Sequence, residues 1–339
     1  MVSVIIPVYR SEQTLERCIN SIREQTYRDW EAVMIVNGPP DASGILADRL
    51  AEQDERIQVI HQSDQGVSAA RNTGIHRATG QFIAFLDSDD YLVEDALHSM
   101  MEAMIQGKSD MVIAGFHHLY FGRDILKIPP MAGTFPLQTS EETFLTLYGT
   151  QFLNMPWNKL YKKEFICQGF PENLTLGEDL CFNLSYMEQI RSYTVLQQPV
   201  CNYIQDDRGT TLSTKRREDR METATVLYDR VMTFCDKIFK GQETSRNRVR
   251  ILNSKIAVEY LDAMENLPLE LPRNTQGRRK EIQNYYQAWQ ELQEAYPCEP
   301  QLALLDYKMI YGCFRHGWIG VTDLMILLRS LVVKLLRRS

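Results

Sequence analysis

Asp87 and Asp89 stand one residue apart in the stretch Asp87-Ser88-Asp89-Asp90, directly after the apolar run Gln81–Leu86. Two carboxylates packed together at the end of a buried strand repel each other and lose hydration, so the pair is costly unless a cation offsets it. Hard carboxylate oxygens suit Mg2+ or Mn2+, ions that also bind substrate phosphates. The pair therefore points to a metal–diphosphate site, with capping of the following helix as the structural alternative. Other residues with chemical potential read as structural. The adjacent His117-His118 face opposite sides of a strand and cannot easily share one metal. The seven cysteines are scattered, odd in number and form no CxxC pair, which reads as reduced thiols of a cytoplasmic protein.

The elements that must position this cluster alternate in character. Val2–Val8, Trp30–Val36, Ile57–His61 and Gln81–Leu86 are short runs rich in apolar and β-branched residues and read as strands. Between them, Leu15, Cys18, Ile19 and Ile22 recur at helical spacing after Ser11, a candidate N-cap. Ile45–Gln53 and Val67–Ala78 also read as helices. Strand–helix alternation predicts an α/β domain with a mostly parallel sheet covered by helices. The acidic cluster then falls at the C-terminal edge of the sheet, where such folds place ligands. Residues 91–106 read as a further helix and Met111–His118 as a further strand. Residues 120–215 read as irregular and mixed. From about 216 the pattern is helical, with a break at Pro268–Gly277, so the domain boundary is expected near 215.

Five stretches taken together resemble the family 2 glycosyltransferases of GT-A (Rossmann-like) fold: Val2-Ser-Val-Ile-Ile-Pro-Val-Tyr9, Gln25-Thr-Tyr-Arg-Asp-Trp-Glu31, Gln65-Gly-Val-Ser-Ala-Ala-Arg-Asn-Thr-Gly74, Phe85-Leu-Asp-Ser-Asp-Asp90 and Gly177-Glu-Asp-Leu-Cys-Phe182. Each alone is weak; all five in order are specific, and the resemblance covers about residues 2–215. It implies a GT-A catalytic domain over 1–215, a helical C-terminal region over 216–339, and inverting transfer of a sugar from an NDP-sugar, most simply a UDP-sugar, to a hydroxyl acceptor.

The resemblance also implies roles. Pro7, Val8 and Tyr9 match the nucleotide-base pocket, where a tyrosine ring can stack on a base. Asn37 stands where the family has an Asp that accepts uracil N3–H; an amide oxygen still accepts, but without charge assistance. Arg71 meets carboxylate or diphosphate. Asp87, Ser88 and Asp89 match the DXD-type element, with Asp89 the first metal ligand, Asp87 a ligand or ribose contact, and Asp90 a helix cap. Asp179, with Glu178 as the second choice, matches the general base that takes the acceptor hydroxyl's proton. Trp157–Tyr161 and Asp206–Thr211 resemble later elements near the acceptor and the diphosphate, where Arg208 is a candidate phosphate clamp.

The last twenty residues form a basic amphipathic pattern. Leu324, Leu328, Leu331, Val332 and Leu335 share one helical face, Arg329, Lys334 and Arg337 lie off it, and Ile326 and Val333 interrupt the polar side. Such a helix lies on an anionic membrane surface or packs on a protein body. With it, the resemblance suggests a lipid-linked glycan acceptor for a bacterial surface polysaccharide and a cytoplasmic protein peripheral to the membrane. A first strand starting at Val2 leads us to expect no signal peptide, and no apolar run reaches spanning length. The formal charge of −7 argues against broad nucleic-acid binding. Two rivals remain. A catalytically silent nucleotide-sugar-binding module would fit Asn37 and Pro39-Pro40. A sugar nucleotidyltransferase would want a glycine-rich loop where Tyr9-Arg-Ser-Glu-Gln13 has none.

Overall fold

A computed structural model describes every residue except 64–65, 175, 206–219, 240–245, 272 and 337–339. The chain divides into two compact units, Met1–Ser213 with Lys237–Lys240, and Thr214–Asp236 with Gly241–Ser339.

In the first unit, β1 (Val2–Val8), β2 (Trp30–Asn37), β3 (Ile57–Gln62) and β4 (Phe82–Phe85) pair in parallel in the order β3-β2-β1-β4. Helices α1 (Leu15–Arg23), α2 (Ala42–Glu52) and α3 (Gly66–Arg77) connect them. Nearly every residue of β1 and β2 is buried, which is why these strands read as continuous apolar runs. The small residues of α3 let it lie close to the sheet. Ala69 and Ala70 are buried, and a Cβ on Gly74 would stand 2.3 Å from Ile5 Cγ2 in β1. Gly74→Ala is therefore expected to cost about 1–3 kcal/mol through overpacking. Urea unfolding would show a lower midpoint at constant slope; an unchanged midpoint would mean that α3 moves aside freely.

The remainder of this unit is β5 (Tyr91–Leu92), α4 (Ala96–Gly107), β6 (Met111–Tyr120), β7 (Arg123–Lys127), β8 (Gly133–Pro136), α5 (Glu141–Gly149), β9 (Lys159–Lys162), α6 (Glu178–Met187) and β10 (Ser192–Gln205). β9 inserts antiparallel between β4 and β6, and β10 runs parallel to β6. β5 and β8 lie antiparallel to β10, and β7 folds back on β6. The stretch expected to be irregular thus completes a mixed sheet. The α/β architecture with a helical C-terminal region is as the sequence implied.

Two local expectations are corrected. Ser11 does not cap α1, which starts after Thr14; its carbonyl accepts from Thr14 and Leu15, and its hydroxyl turns inward. Asp90 does not cap a helix. Tyr91 continues into β5, and the Asp90 carboxylate is buried, accepting the backbone N–H of Ile204 at 2.8 Å.

The second unit consists of α7 (Arg220–Ile238), α8 (Arg246–Glu270), α9 (Thr275–Ala295), α10 (Leu305–Arg315) and α11 (Ile319–Leu336). Pro268 lies inside α8 rather than at a break; the helix ends two residues later. The buried amide of Asn253 donates to the carbonyls of Tyr296 and Cys298, tying the segment after α9 to α8. Arg278 of α9 and Asp323 of α11 form a buried ion pair at 2.7 Å. Tyr285 and Trp289 pack inside this unit, as ordinary helix packing predicts. Among the described residues no helix is long and apolar enough to cross a membrane.

Candidate active site

β1 and β4 are neighbours, so the segments leaving their C-terminal ends, Tyr9–Gln13 and Leu86–Asp90, lie side by side. The Ser11 and Ser88 hydroxyls meet at 2.6 Å and join the two segments. Ser88 is buried, so its side chain shapes this edge from within. Asp87 and Asp89 then turn outward by strand-end alternation, Asp87 partly covered and Asp89 exposed. Arg17 of α1 donates to the Asp89 carbonyl at 2.7 Å and lies over the Tyr91 ring, holding the acidic turn in place. Although the Asp89 side chain is open to solvent, partial loss of hydration, and then the charge of Asp87, push its carboxyl upward. Burial drives Asp90 well above the usual carboxylate range, with Asp89 and Asp87 adding to the shift.

Arg71 supplies cationic charge beside this cluster. Its guanidinium is almost wholly buried. Nη2 donates to Asp87 Oδ1 at 3.0 Å, Nη1 donates to Asp179 Oδ1 at 2.7 Å, and Glu178 lies at 4.0 Å. Burial works against the charge of Arg71, but Asp179, Asp87 and Glu178 outweigh it and hold the group protonated. Asp179 responds in the opposite sense. Burial raises its carboxyl above the ordinary range, Arg71 pulls it back, and Glu178 and Asp87 add to the rise.

The partners of Arg71 come from distant elements. Gly177 takes a left-handed conformation (φ 81°), open to glycine at little cost, and turns the chain so that Glu178 and Asp179 open α6. Phe170 forms a ledge 5.2 Å from the guanidinium. Asn72, next to Arg71, holds that ledge like a strand neighbour: its Oδ1 accepts Phe170 N–H at 2.7 Å and its Nδ2 donates to Phe170 O at 2.9 Å. Below lies Lys159, fully buried, its ammonium donating to the carbonyls of Phe152 and Met155 and to Asn158 Oδ1. Burial pulls the Lys159 ammonium well below its ordinary range, partly opposed by Asp179. Asn183, one turn after Asp179 on α6, donates to Leu153 O and accepts from the Tyr161 hydroxyl. The Trp157–Tyr161 stretch therefore supports the floor beneath α6.

At the other side of the edge, Pro7 is half-buried, Val8 buried and Tyr9 exposed, with the Arg10 guanidinium over its ring at 5.1 Å. Asn37 is buried at the end of β2, where its Oδ1 accepts from Gln62 Nε2 at 3.0 Å, its cross-strand partner in register. The structure thus gathers Arg71, Asp87, Glu178 and Asp179 into one cluster, with Asp89 two residues along the chain from Asp87. Arg208, with the rest of Asp206–Thr211, lies outside the described residues, as does Gln65 of the third stretch. His117 and His118 take separate partners, Asp124 and Gln205. Gln25 and Glu31 of the second stretch are structural. Gln25 joins Ser21, Val93 and Leu97. Glu31 gathers donors from Ser3, Thr79 and Gly80, which overcome the upward push of burial and hold its carboxyl below the usual range.

Whether this edge suits a divalent ion follows from its donors. Among the described residues no group of three or more His, Cys, Asp or Glu is arranged to hold a metal. Asp87 and Asp89 offer hard oxygens two residues apart, and the repulsion that Asp87 adds at the Asp89 carboxyl is one a cation would relieve. Two carboxylates completed by phosphate oxygens fit the coordination habits of Mg2+ and Mn2+.

Residues 3–169 match the profile described as glycosyl transferase family 2. The chain is 33% identical over 216 residues to the uncharacterized glycosyltransferase EpsJ of Bacillus subtilis (strain 168), covering 62% of this chain and 63% of that protein. It is 32% identical over 207 residues to the putative glycosyltransferase EpsH of the same organism, covering 60% of each. The chain thus spans about three fifths of the length of these two relatives. Among solved structures, that of S. aureus TarS 1–349 in complex with UDP-GlcNAc is similar with a TM-score of 0.69 at 18% identity, covering 96% of this chain and 90% of that one. A mannosyltransferase from Pyrobaculum calidifontis in complex with GDP-Man and Mn2+ is similar at a TM-score of 0.50 and 15% identity, covering 97% of this chain and 86% of that one. Those likenesses bear on the fold alone. Residues 3–169, about half of the chain, thus carry the glycosyl transferase family 2 sequence, and two glycosyltransferase relatives match the chain at about one third identity.

Proposed function

We propose that this protein is an inverting glycosyltransferase that moves a hexose-type sugar from a UDP-sugar to an acceptor hydroxyl. The observation that carries the reading is Arg71, whose one guanidinium ties Asp87 at the sheet edge to Asp179 at the start of α6. A donor-side carboxylate and a candidate base are thereby fixed in one frame. Pro7, Val8, Tyr9 and Asn37 receive the base. Asp87 and Asp89, with Ser88 shaping their turn, face the diphosphate, where Mn2+ or Mg2+ would neutralise the charge of the departing group. Asp179 takes the proton of the acceptor hydroxyl as that oxygen attacks the anomeric carbon opposite the nucleoside diphosphate, and Glu178 raises its basicity by like charge. Arg208 clamps phosphate. The catalytic domain is residues 1–215, followed by the helical region 216–339. The acceptor is a lipid-linked glycan of a surface polysaccharide, met at the inner face of the membrane through residues 320–339.

Calorimetric titration of UDP, GDP and dTDP, each with and without Mn2+, tests the donor half. UDP is expected to bind with metal, and Asp89→Asn to weaken that binding by roughly 10–100-fold or more. Tighter binding of GDP or dTDP would replace the donor. No binding of any nucleotide to folded protein would favour a silent module.

A further inference from the structure

The proposed membrane contact can be assigned to particular atoms, because α11 carries two different faces. One packs inward: Thr322, Asp323 and Ile326 are buried, and Asp323 is the partner of Arg278. Ile326, which interrupts the polar side of the sequence pattern, is thus a core residue. Arg329 is also engaged within the unit. Its Nε donates to Asp306 at 2.5 Å, it pairs with Glu265, and it covers the Tyr307 ring. Arg329 is therefore no free cation for a lipid headgroup. The other face remains open. Val321, Leu324 and Leu328, at spacings of three and four residues, are each about half exposed, as is Trp318 just before the helix. On α10, Leu305 and Met309 are exposed one turn apart. Isolated exposed apolar residues are ordinary, but a helical stripe of them facing water is not.

Charge identifies what fits the stripe. The chain as a whole is acidic, at −7, yet residues 305–339 carry six basic residues against two acidic ones. Both acids are neutralised within the unit, Asp306 by Arg329 and Asp323 by Arg278. The sequence continues the stripe at Leu331 and Leu335 and adds Lys334, Arg337 and Arg338. No described helix is long and apolar enough to cross a bilayer. An apolar stripe in a segment of net positive charge matches an anionic lipid surface, with the stripe in the acyl boundary and the cations among the headgroups.

We infer that the face of α11 exposed in Val321, Leu324 and Leu328, together with Trp318 just before the helix, seats the protein on an anionic lipid surface. This deepens the acceptor reading above, on which it rests only for its purpose. The test uses the full chain without nucleotide, sedimented with vesicles of phosphatidylcholine mixed with phosphatidylglycerol or of phosphatidylcholine alone. Binding is expected to the mixed vesicles only, to fall with added salt, and to weaken about tenfold or more in Leu324→Glu with Leu328→Glu. Should that variant melt early, Leu324→Ser with Leu328→Ser carries the same comparison. Absent binding, or equal binding to neutral vesicles, would overturn the inference. A wild-type dimer that the same substitutions make monomeric, without vesicle binding, would assign the face to a second copy instead. Because no nucleotide is present, failure here leaves the donor site standing, and failure of UDP to bind leaves this face standing.

Discussion

Asp179→Asn is expected to lower kcat by about 10²–10⁴-fold while UDP-sugar affinity stays near that of the wild type. The amide keeps an oxygen for Arg71 Nη1, now 2.7 Å from Oδ1, so the frame around the donor persists while the proton acceptor is lost. The wild-type pH profile should carry the same signature. Burial raises the Asp179 carboxyl, so the active, unprotonated form is lost as pH falls while ordinary carboxylates remain ionised. The acidic limb of kcat/KM should therefore lie above the usual carboxylate pKa of about 4. Glu178→Gln should lower that limb, because a like charge is removed from beside the base. Full turnover in Asp179→Asn would move the base to another residue.

Arg71→Met is expected to cost about 3–5 kcal/mol of stability, the usual result of removing one partner from a buried ionic cluster. Asp87, Glu178 and Asp179 would then face one another without the cation that now bridges them. The pKa of Asp179 would rise further, and stability would fall as pH rises through it, because the ionised form is the one the fold disfavours. Arg71→Lys keeps a charge but loses the planar fork that reaches two carboxylates. It should recover part of the stability and less of the activity. Urea unfolding at several pH values separates these effects. A loss below about 1 kcal/mol in Arg71→Met, as for an exposed pair, would show that solvent rather than the guanidinium screens the carboxylates.

The sequence announced some of this architecture clearly. β1 spans Val2–Val8 as read, and β2 and β3 each extend the expected run by one residue; β1 and β2 are buried almost throughout and leave continuous apolar runs, while β3, only partly covered, shows through Ile57, Val59 and Ile60. The region from 120 to 215 was opaque for specific reasons. β7 is exposed throughout and has no apolar face to betray it. β9 is Lys-Leu-Tyr-Lys, whose buried first lysine reads as a surface residue until its cage of carbonyls is seen. β10 carries register shifts around Pro199, which interrupt its alternation. Among the site residues, Arg71, Asp87 and Asp179 stood out through their motifs, but neither the Phe170 ledge nor the Gln62 partner of Asn37 did. Phe170 touches Arg71 only through the tertiary fold. Gln62 could have been found from strand register, since parallel pairing of β2 and β3 sets it opposite Asn37.

The bridge between Arg71 and Asp179 joins residues 108 positions apart, and the Asn72 clamp on Phe170 spans 98. The order in which the chain folds must respect these spans. The β3-β2-β1-β4 half and α3 are complete by residue 85, when nothing yet made could shield Arg71 or hold it in place. Long-range closures of this kind form late and slowly. An emerging chain would therefore pass through a stage with its sheet largely built and its guanidinium still hydrated, and docking of α6 would drive out that water. Assembly of the Arg71 cluster and closure of the domain would then be a single event.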